Sequence, residues 1–305
     1  MTKRAASLGL SILLGIGSGT ISAPASAQGA ATKQHPAQGI VLQVDKAHKY
    51  LEVSCDQIPD YMDAMDMAFT LRTPADLNVA ASLKPGTKIR FTIEEQGKSL
   101  YAENVQVESS QVFEPEPMEA SGLTALHKAL NPSQAATIIG IGQPVPDFSL
   151  TDQTGNVIRL SQFQGKVVAL TFGYSRCPNP NYCYRLSNNL AHVQRQLREH
   201  ARKDLVLLTI AIDPEHDKGE VLAQYAAAFR ADPEMWHFLT GPAPEIQKIA
   251  AYFGMNFWSN EGLLTHSLHT VILDRDGRMV ANLEGNQFTP QQLTDLVRSV
   301  MNRSR

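Results

Sequence analysis

From Gly39 to Val107 apolar residues recur at alternate positions, the period of a half-buried β-strand. The segments are Ile40, Leu42 and Val44; Leu51 and Val53; Met65, Met67, Phe69 and Leu71; Ile89, Phe91 and Ile93; and Tyr101 through Val105 and Val107. Five short strands in so few residues predict a small all-β barrel of the OB-like kind rather than an open sheet. The turn Lys84-Pro85-Gly86 separates the third strand from the fourth. Glu114-Pro115-Glu116-Pro117 carries charge and two prolines and continues neither a strand nor a helix, so a linker is expected over 109–140, with an amphipathic turn or two between Leu123 and Leu130.

The second half follows another pattern. Lys166 to Tyr174 is a continuous apolar run suited to a central strand; Leu186, Leu190, Val193 and Leu197 mark one face of a helix; Leu205 to Ile212 is a second buried strand. This β-α-β unit implies a parallel pair with a right-handed crossover. Helices are expected over Val221–Phe229, Glu245–Phe253 and Gln291–Met301, and strands over Thr270–Leu273 and Met279–Leu283 around the turn Asp274-Arg275-Asp276-Gly277. The prediction is an α/β domain over 141–305 with helices on both sides of its sheet, preceded by the barrel over 39–108.

Composition agrees with two folded domains: 305 residues, 43% hydrophobic and 19% charged. A net charge of -3 provides no basic excess, so neither nucleic acid nor an anionic membrane surface is an expected partner. The amino terminus predicts the compartment. Lys3 and Arg4, the small-residue-rich apolar run Leu8–Ile21 and the small-x-small site Ala25-Ser26-Ala27 read as a secretory signal peptide over 1–27, cut before Gln28, in preference to a membrane anchor. The mature protein is then expected in an extracytoplasmic, oxidising space, where thiols persist when a metal or reductant protects them.

Three cysteines, Cys55, Cys177 and Cys183, are too few for a disulfide scaffold. Cys177 and Cys183 stand in Ser175-Arg176-Cys177-Pro178-Asn179-Pro180-Asn181-Tyr182-Cys183, between the first buried strand and its helix. A strand-to-helix corner offers free N–H groups and the positive end of a helix dipole, which stabilise a thiolate. Two thiols on one loop can close a disulfide, structural or redox-active, or bind a soft metal. Together with Gly142-x-x-Val145-Pro146-Asp147-Phe148, Ile212-Asp213-Pro214, Thr265-His266-Ser267 and Asp274-x-Asp276-Gly277, the cysteine pair resembles the Sco/SenC family over about Ile141–Met301. The resemblance implies a thioredoxin-like fold and a copper site made by Cys177, Cys183 and His266. His266 is preferred to His269 because it precedes Ser267 and lies the family's distance from the Asp-x-Asp-Gly turn. The loop departs from the family in holding five residues between the cysteines instead of three, with Tyr184 rather than a proline after the second. Asp213 matches an acidic position near the family's site or else caps the following turn; His192 reads as a solvated bystander and His269 as a strand residue.

Cys55 acquires a setting in Cys55-Asp56-Gln57-Ile58-Pro59-Asp60-Tyr61-Met62-Asp63-Ala64-Met65-Asp66-Met67. Met65 and Met67 are two apart on an expected strand and project from one face. Thioethers with a thiolate select Cu(I), and the interleaved Asp63 and Asp66 are unlike a core strand, although methionine also fills cores. With Val44-Asp45, Ile58-Pro59 and Leu83-Lys84-Pro85-Gly86, this segment is similar to the CusF-like periplasmic copper-binding domain, a five-stranded barrel that binds Cu(I) or Ag(I) with one histidine and two methionines. The resemblance places Met65 and Met67 at the methionine positions, Cys55 where the histidine would be and Met62 near the position of a covering ring. His48 is a fallback ligand.

The two resemblances imply a periplasmic copper metallochaperone that delivers copper to, or adjusts the thiols of, the binuclear copper centre of a cytochrome oxidase. The alternatives are a thiol-disulfide oxidoreductase using Cys177 and Cys183, the one enzymatic reading, and a copper buffer for resistance.

Overall fold

Strand β1, Lys33–Asp45, opens a closed five-stranded barrel in a computed structural model that describes residues 33–108, 138–200, 203–255, 257–260 and 262–303. The expected signal peptide and most of the expected linker lie outside these residues. After β1 come β2 (Tyr50–Cys55), β3 (Met65–Thr70), helix α1 (Pro74–Ala80), β4 (Lys88–Gln96) and β5 (Ser99–Val107), in barrel order β1-β2-β3-β5-β4 with β4 closing on β1. Val41, Leu51, Val53, Phe69, Ile89, Phe91 and Ile93 fill the interior. Helix α1 was not expected from the apolar pattern. Its signals are short-range: the Thr73 hydroxyl caps the Asp76 N–H at 3.1 Å, Pro74 occupies the first turn, and the buried Asp76 carboxylate accepts from Val105 N–H at 2.8 Å, tying the helix to β5.

The alternation at Ile40 and Leu42 has a different meaning from the one expected. Val41 faces the barrel core, whereas Ile40 and Leu42 point outward and join the apolar core of the second domain. A register shift between Val41 and Gln43 then returns Val44 to the barrel side.

The second domain is a seven-stranded sheet. Its elements are β6 (Ser149–Asp152), β7 (Val157–Arg159), β8 (Val167–Gly173), α2 (Arg185–Gln196), β9 (Leu205–Ala211), α3 (Gly219–Ala228), β10 (Trp236–Thr240) and α4 (Ala243–Tyr252), then the hairpin β11 (Phe257–Asn260) and β12 (Leu263–His266), β13 (His269–Leu273), β14 (Met279–Glu284) and α5 (Pro290–Asn302). The strand order is β14-β13-β8-β9-β10-β6-β7. Strands β8 and β9 run parallel around α2, β13 is antiparallel to β8, and β14 is antiparallel to β13 before α5. That β-α-β followed by β-β-α, in the order β14-β13-β8-β9, is the thioredoxin arrangement. Strand β8 is buried on both faces, which explains its unbroken apolar run: Val167 and Ala169 meet α2, α3 and α5, while Val168, Leu170 and Phe172 meet α4.

Helix α5 also carries the barrel. The Ser54 hydroxyl donates to Asp295 Oδ2 at 2.8 Å, Gln292 Nε2 donates to Asp56 Oδ1 at 2.9 Å, and Arg303 Nη2 donates to the Leu42 carbonyl at 3.1 Å. Ser54, Gln292 and Asp295 are all buried, and each of these three side chains has a hydrogen-bond partner. The barrel is therefore seated on the second domain within one unit of structure, rather than being only tethered to it.

Candidate metal centres

Strand β8 ends at Gly173, and the chain turns at the carboxyl edge of the sheet, where open α/β sheets place their sites. Gly173 keeps this corner open, since a Cβ there would lie 3.3 Å from the Tyr225 hydroxyl and 3.4 Å from Cys183 Cβ. The loop that follows is longer than a simple corner but is held by its own residues. The Asn179 side chain accepts from Asn181 N–H at 2.9 Å, and Asn286, from the turn before α5, donates to the Asn181 carbonyl at 2.6 Å. Pro180–Tyr184 winds as a π-turn with a break at Tyr182, delivering the buried Cys183 at the head of α2.

The ligand atoms of Cys177, Cys183 and His266 lie within 4.8 Å of one another. His266 arrives from the distant hairpin β11–β12, and its Nε2 stands 3.2 Å from Cys183 Sγ. Its Nδ1 lies 2.9 Å from the Ser267 carbonyl, which accepts a hydrogen bond from Nδ1–H and leaves the lone pair on Nε2, facing Cys183, to bind a metal. Tyr174 supports the ring edge-on at 5.9 Å and is itself fixed by donating to the Leu264 carbonyl at 2.9 Å. The two thiols differ. The Cys177 thiol is lowered well below its ordinary value because the Cys183 thiol donates to its thiolate; Cys183 is raised by the same interaction and by burial.

Asp213 sits beside this loop. Arg176, which precedes Cys177, donates to Asp213 Oδ2 at 2.6 Å, and His216 Nδ1 lies 3.0 Å from Oδ1. Burial acts to raise the Asp213 carboxyl, but the bonds from Arg176 and His216 outweigh it and hold it below its usual range. The fully buried Asp217 accepts from the N–H and hydroxyl of Ser175, which anchors the strand end. His269 is buried in β13, with Nδ1 3.0 Å from Asn282 Oδ1, and is not one of the clustered ligands. His192 is half-buried instead of solvated, and its Nε2 is shielded without a partner among the described residues.

The second cluster lies at the end of the barrel. Cys55 closes β2 and pairs directly with Met65 on β3, as Val53 pairs with Met67, so Cys55, Met65 and Met67 share the inward face. Directly opposed side chains have Cβ atoms about 4.5–5.5 Å apart. Cys55 is 1% exposed and Met65 48%, which sets the thiol at the bottom of this end and a thioether at its rim. Met62 and Met67 are half-buried and pack against the barrel core with Tyr61. Burial, then Asp56 and Asp66, pushes the Cys55 thiol up to about 12, so a soft cation binding here must displace its proton. His48 is not brought near: it bonds Asp45 at 2.6 Å in the turn at the opposite end of the β1–β2 hairpin, roughly 16 Å along the strand from Cys55. Tyr61 stacks on His35 at 3.7 Å, a pairing the sequence reading missed because it began the barrel at Gly39.

A thioredoxin-type domain with two strand-end thiols and an imidazole fixed beside them defines a soft-metal or dithiol site. Residues 141–302 match the SCO1/SenC family model, and the chain belongs to that family. Residues 34–107 match the model of the copper binding periplasmic protein CusF. The chain is 30% identical over 162 residues to the mitochondrial SCO2 homolog of Bos taurus, an overlap covering 51% of this chain and 59% of the bovine protein. It is 25% identical over 164 residues to the SCO1 protein homolog of Bacillus subtilis, covering 52% of this chain and 82% of that one. Among solved structures, copper-bound ScoI of Arabidopsis thaliana is 26% identical with a TM-score of 0.46, covering 54% of this chain and all of that chain (100%). No helix among the described residues is long and apolar enough to cross a membrane.

Proposed function

We propose that this protein is a periplasmic copper carrier, exported by the segment 1–27, that holds copper as cargo at two sites and delivers it to the binuclear copper centre of a respiratory cytochrome oxidase. The observation that carries the reading is the convergence of Cys177 Sγ, Cys183 Sγ and His266 Nε2 within 4.8 Å, with the other imidazole nitrogen already bonded to a carbonyl. Two thiolates supply softness, and an imidazole accommodates Cu(II) as well as Cu(I). The barrel supplies Cys55, Met65 and Met67, with Met62 alongside, a donor set suited to Cu(I) or Ag(I) and poor for hard cations. Membership of the SCO1/SenC family supports the choice of recipient.

Anaerobic Cu(I) titration of the full chain tests this. The wild type should bind two equivalents, the Cys177→Ser/Cys183→Ser variant one, and the Met65→Leu/Met67→Leu variant one. Retention of both equivalents after loss of Cys177 and Cys183 would overturn the carboxyl-terminal site.

The contrast between the two thiols favours a second reading, reduction of a partner's disulfide. The Cys177 thiolate attacks one sulfur of that disulfide and releases the other as a thiolate. Cys183, giving up its proton, then attacks Cys177, which frees the remaining partner thiol and leaves Cys177 and Cys183 oxidised. Under this reading His266→Ala retains turnover; under copper delivery it loses the metal.

A further inference from the structure

The seam between the barrel and α5 holds a polar cavity that neither metal centre uses. Its volume is about 370 Å³, and it is lined by Gln43 and Glu52 of the barrel and by Ser299, Asn302 and Arg303 at the end of α5. Two local features build it. Along β1, Val41 faces the barrel core and Leu42 faces away from it, so strict alternation would turn Gln43 inward. The register shift between Val41 and Gln43 turns it outward instead, opposite its strand partner Glu52. On α5, Asn302 and Arg303 stand three and four residues after Ser299, so the three share one side of the last turn.

The groups around the cavity are not paired with one another. Arg303 Nη2 donates to the Leu42 carbonyl at 3.1 Å, which pins the guanidinium at the seam, but its Nε is shielded from solvent and has no hydrogen-bond partner among the described residues. The Ser299 hydroxyl is shielded and unpartnered in the same way. Arg303 forms no ion pair among the described residues, although Glu52 lines the same cavity. Burial, then Asp66, raises the Glu52 carboxyl, and the attraction of Arg303 offsets this only in part. Burial likewise holds the Arg303 guanidinium below its ordinary value. A cation and an anion therefore face one space without meeting, beside two shielded groups able to bond. Shielded polar groups in folded proteins are nearly always satisfied, so the walls specify a complementary ligand: an anionic acceptor for Arg303 Nε and the Ser299 hydroxyl, and a cationic donor for Glu52. Water supplies an acceptor but neither charge.

We propose that this cavity binds a free α-amino acid, its carboxylate taken by Arg303 Nε and the Ser299 hydroxyl, its ammonium by Glu52, and its side chain flanked by the Gln43 and Asn302 amides. The negative end of the α5 dipole lies at the same helix end and favours the ammonium. The walls belong to both domains, so occupancy also strengthens the seating of the barrel. The site is independent of the copper reading, since no residue of either metal centre lines it.

The test titrates the metal-free full chain with L-glutamine, followed by backbone amide shifts, with acetate and ethylammonium as half-ligands. Saturable shifts are expected at Gln43, Glu52 and Ser299, with binding about tenfold or more weaker for each half-ligand. Glu52→Gln and Ser299→Ala both keep the Arg303 bond to Leu42, and each should weaken glutamine binding by about tenfold. Ser299→Ala should leave the stability of the ligand-free protein undiminished, because its hydroxyl has no bond to lose. Glutamine should raise the urea midpoint of the wild type and not that of the double variant. No saturable shift at these residues, or binding unchanged in both variants, would overturn the site. Acetate binding as tightly as glutamine would reduce it to a simple anion site and overturn the assignment to an amino acid.

Discussion

Ser54→Ala and Asp295→Asn, singly and together, probe the joint between the barrel and α5. The Ser54 hydroxyl donates to a carboxylate that is 3% exposed and that also accepts from Gln291 at 2.7 Å and Arg298 at 3.0 Å. A hydrogen bond to a buried charged acceptor contributes about 1.5–3 kcal/mol. Ser54→Ala leaves Asp295 with two donors and should cost about 1–2 kcal/mol. Asp295→Asn keeps the volume but removes the charge from all three donors, and should cost about 2–3 kcal/mol. Because Ser54→Ala removes this bond and Asp295→Asn weakens the same bond, the double variant should fall short of the sum by about 1–2 kcal/mol. Urea unfolding of the metal-free full chain measures each value, and a weakened joint should also separate the barrel transition from that of the second domain. A coupling within about 0.3–0.5 kcal/mol of zero, the range of independent sites, would refute the claim that this bond helps seat the barrel.

Other outcomes follow from the two centres. Asn286→Ala removes the bond to the Asn181 carbonyl and should speed metal loss from the carboxyl-terminal site by about tenfold, read by transfer to a chelator, with less than about 1 kcal/mol change in folding stability. Met65→Leu/Met67→Leu conserves volume and should keep stability within about 1.5 kcal/mol while Cu(I) affinity falls; unchanged affinity would make these methionines core residues. In the metal-free reduced protein, Cys177 should be alkylated first at pH 6–7, because its lowered pKa keeps it as the reactive thiolate there. Cys55, pushed up to about 12, stays a thiol and should remain unmodified until well above pH 9 or until the barrel unfolds; equal rates for the two would refute the assignment.

Legibility from sequence followed the range of the interactions. The alternation in β2, β3 and β4 and the unbroken apolar run of β8 marked their strands because each reports burial directly. Helix α1 escaped because seven residues are too few for an apolar stripe, and its Thr73 cap and Pro74 are local signals inside a β pattern. The joint escaped for a different reason: Ser54, Gln292 and Asp295 are polar and read as solvent-facing, and only the fold brings a partner to each. In the carboxyl-terminal site the residue types and strand-end position were visible, and the resemblance supplied His266. The clamp on the longer loop was not visible, since Asn286 lies far along the chain from Asn181. Likewise, His35 lies before the first apolar alternation and becomes noticeable only when Tyr61 is found stacked on it.

The central claim is that Cys177, Cys183 and His266 hold one copper ion together, and X-ray absorption at the copper edge tests it most directly. The sample is the full chain with the barrel silenced by Met65→Leu/Met67→Leu and Cys55→Ser, loaded with one equivalent of copper. The account predicts two sulfur neighbours and an imidazole nitrogen in the first shell, with the nitrogen signal lost in His266→Ala. A first shell without two sulfurs, or one unchanged by His266→Ala, would contradict it.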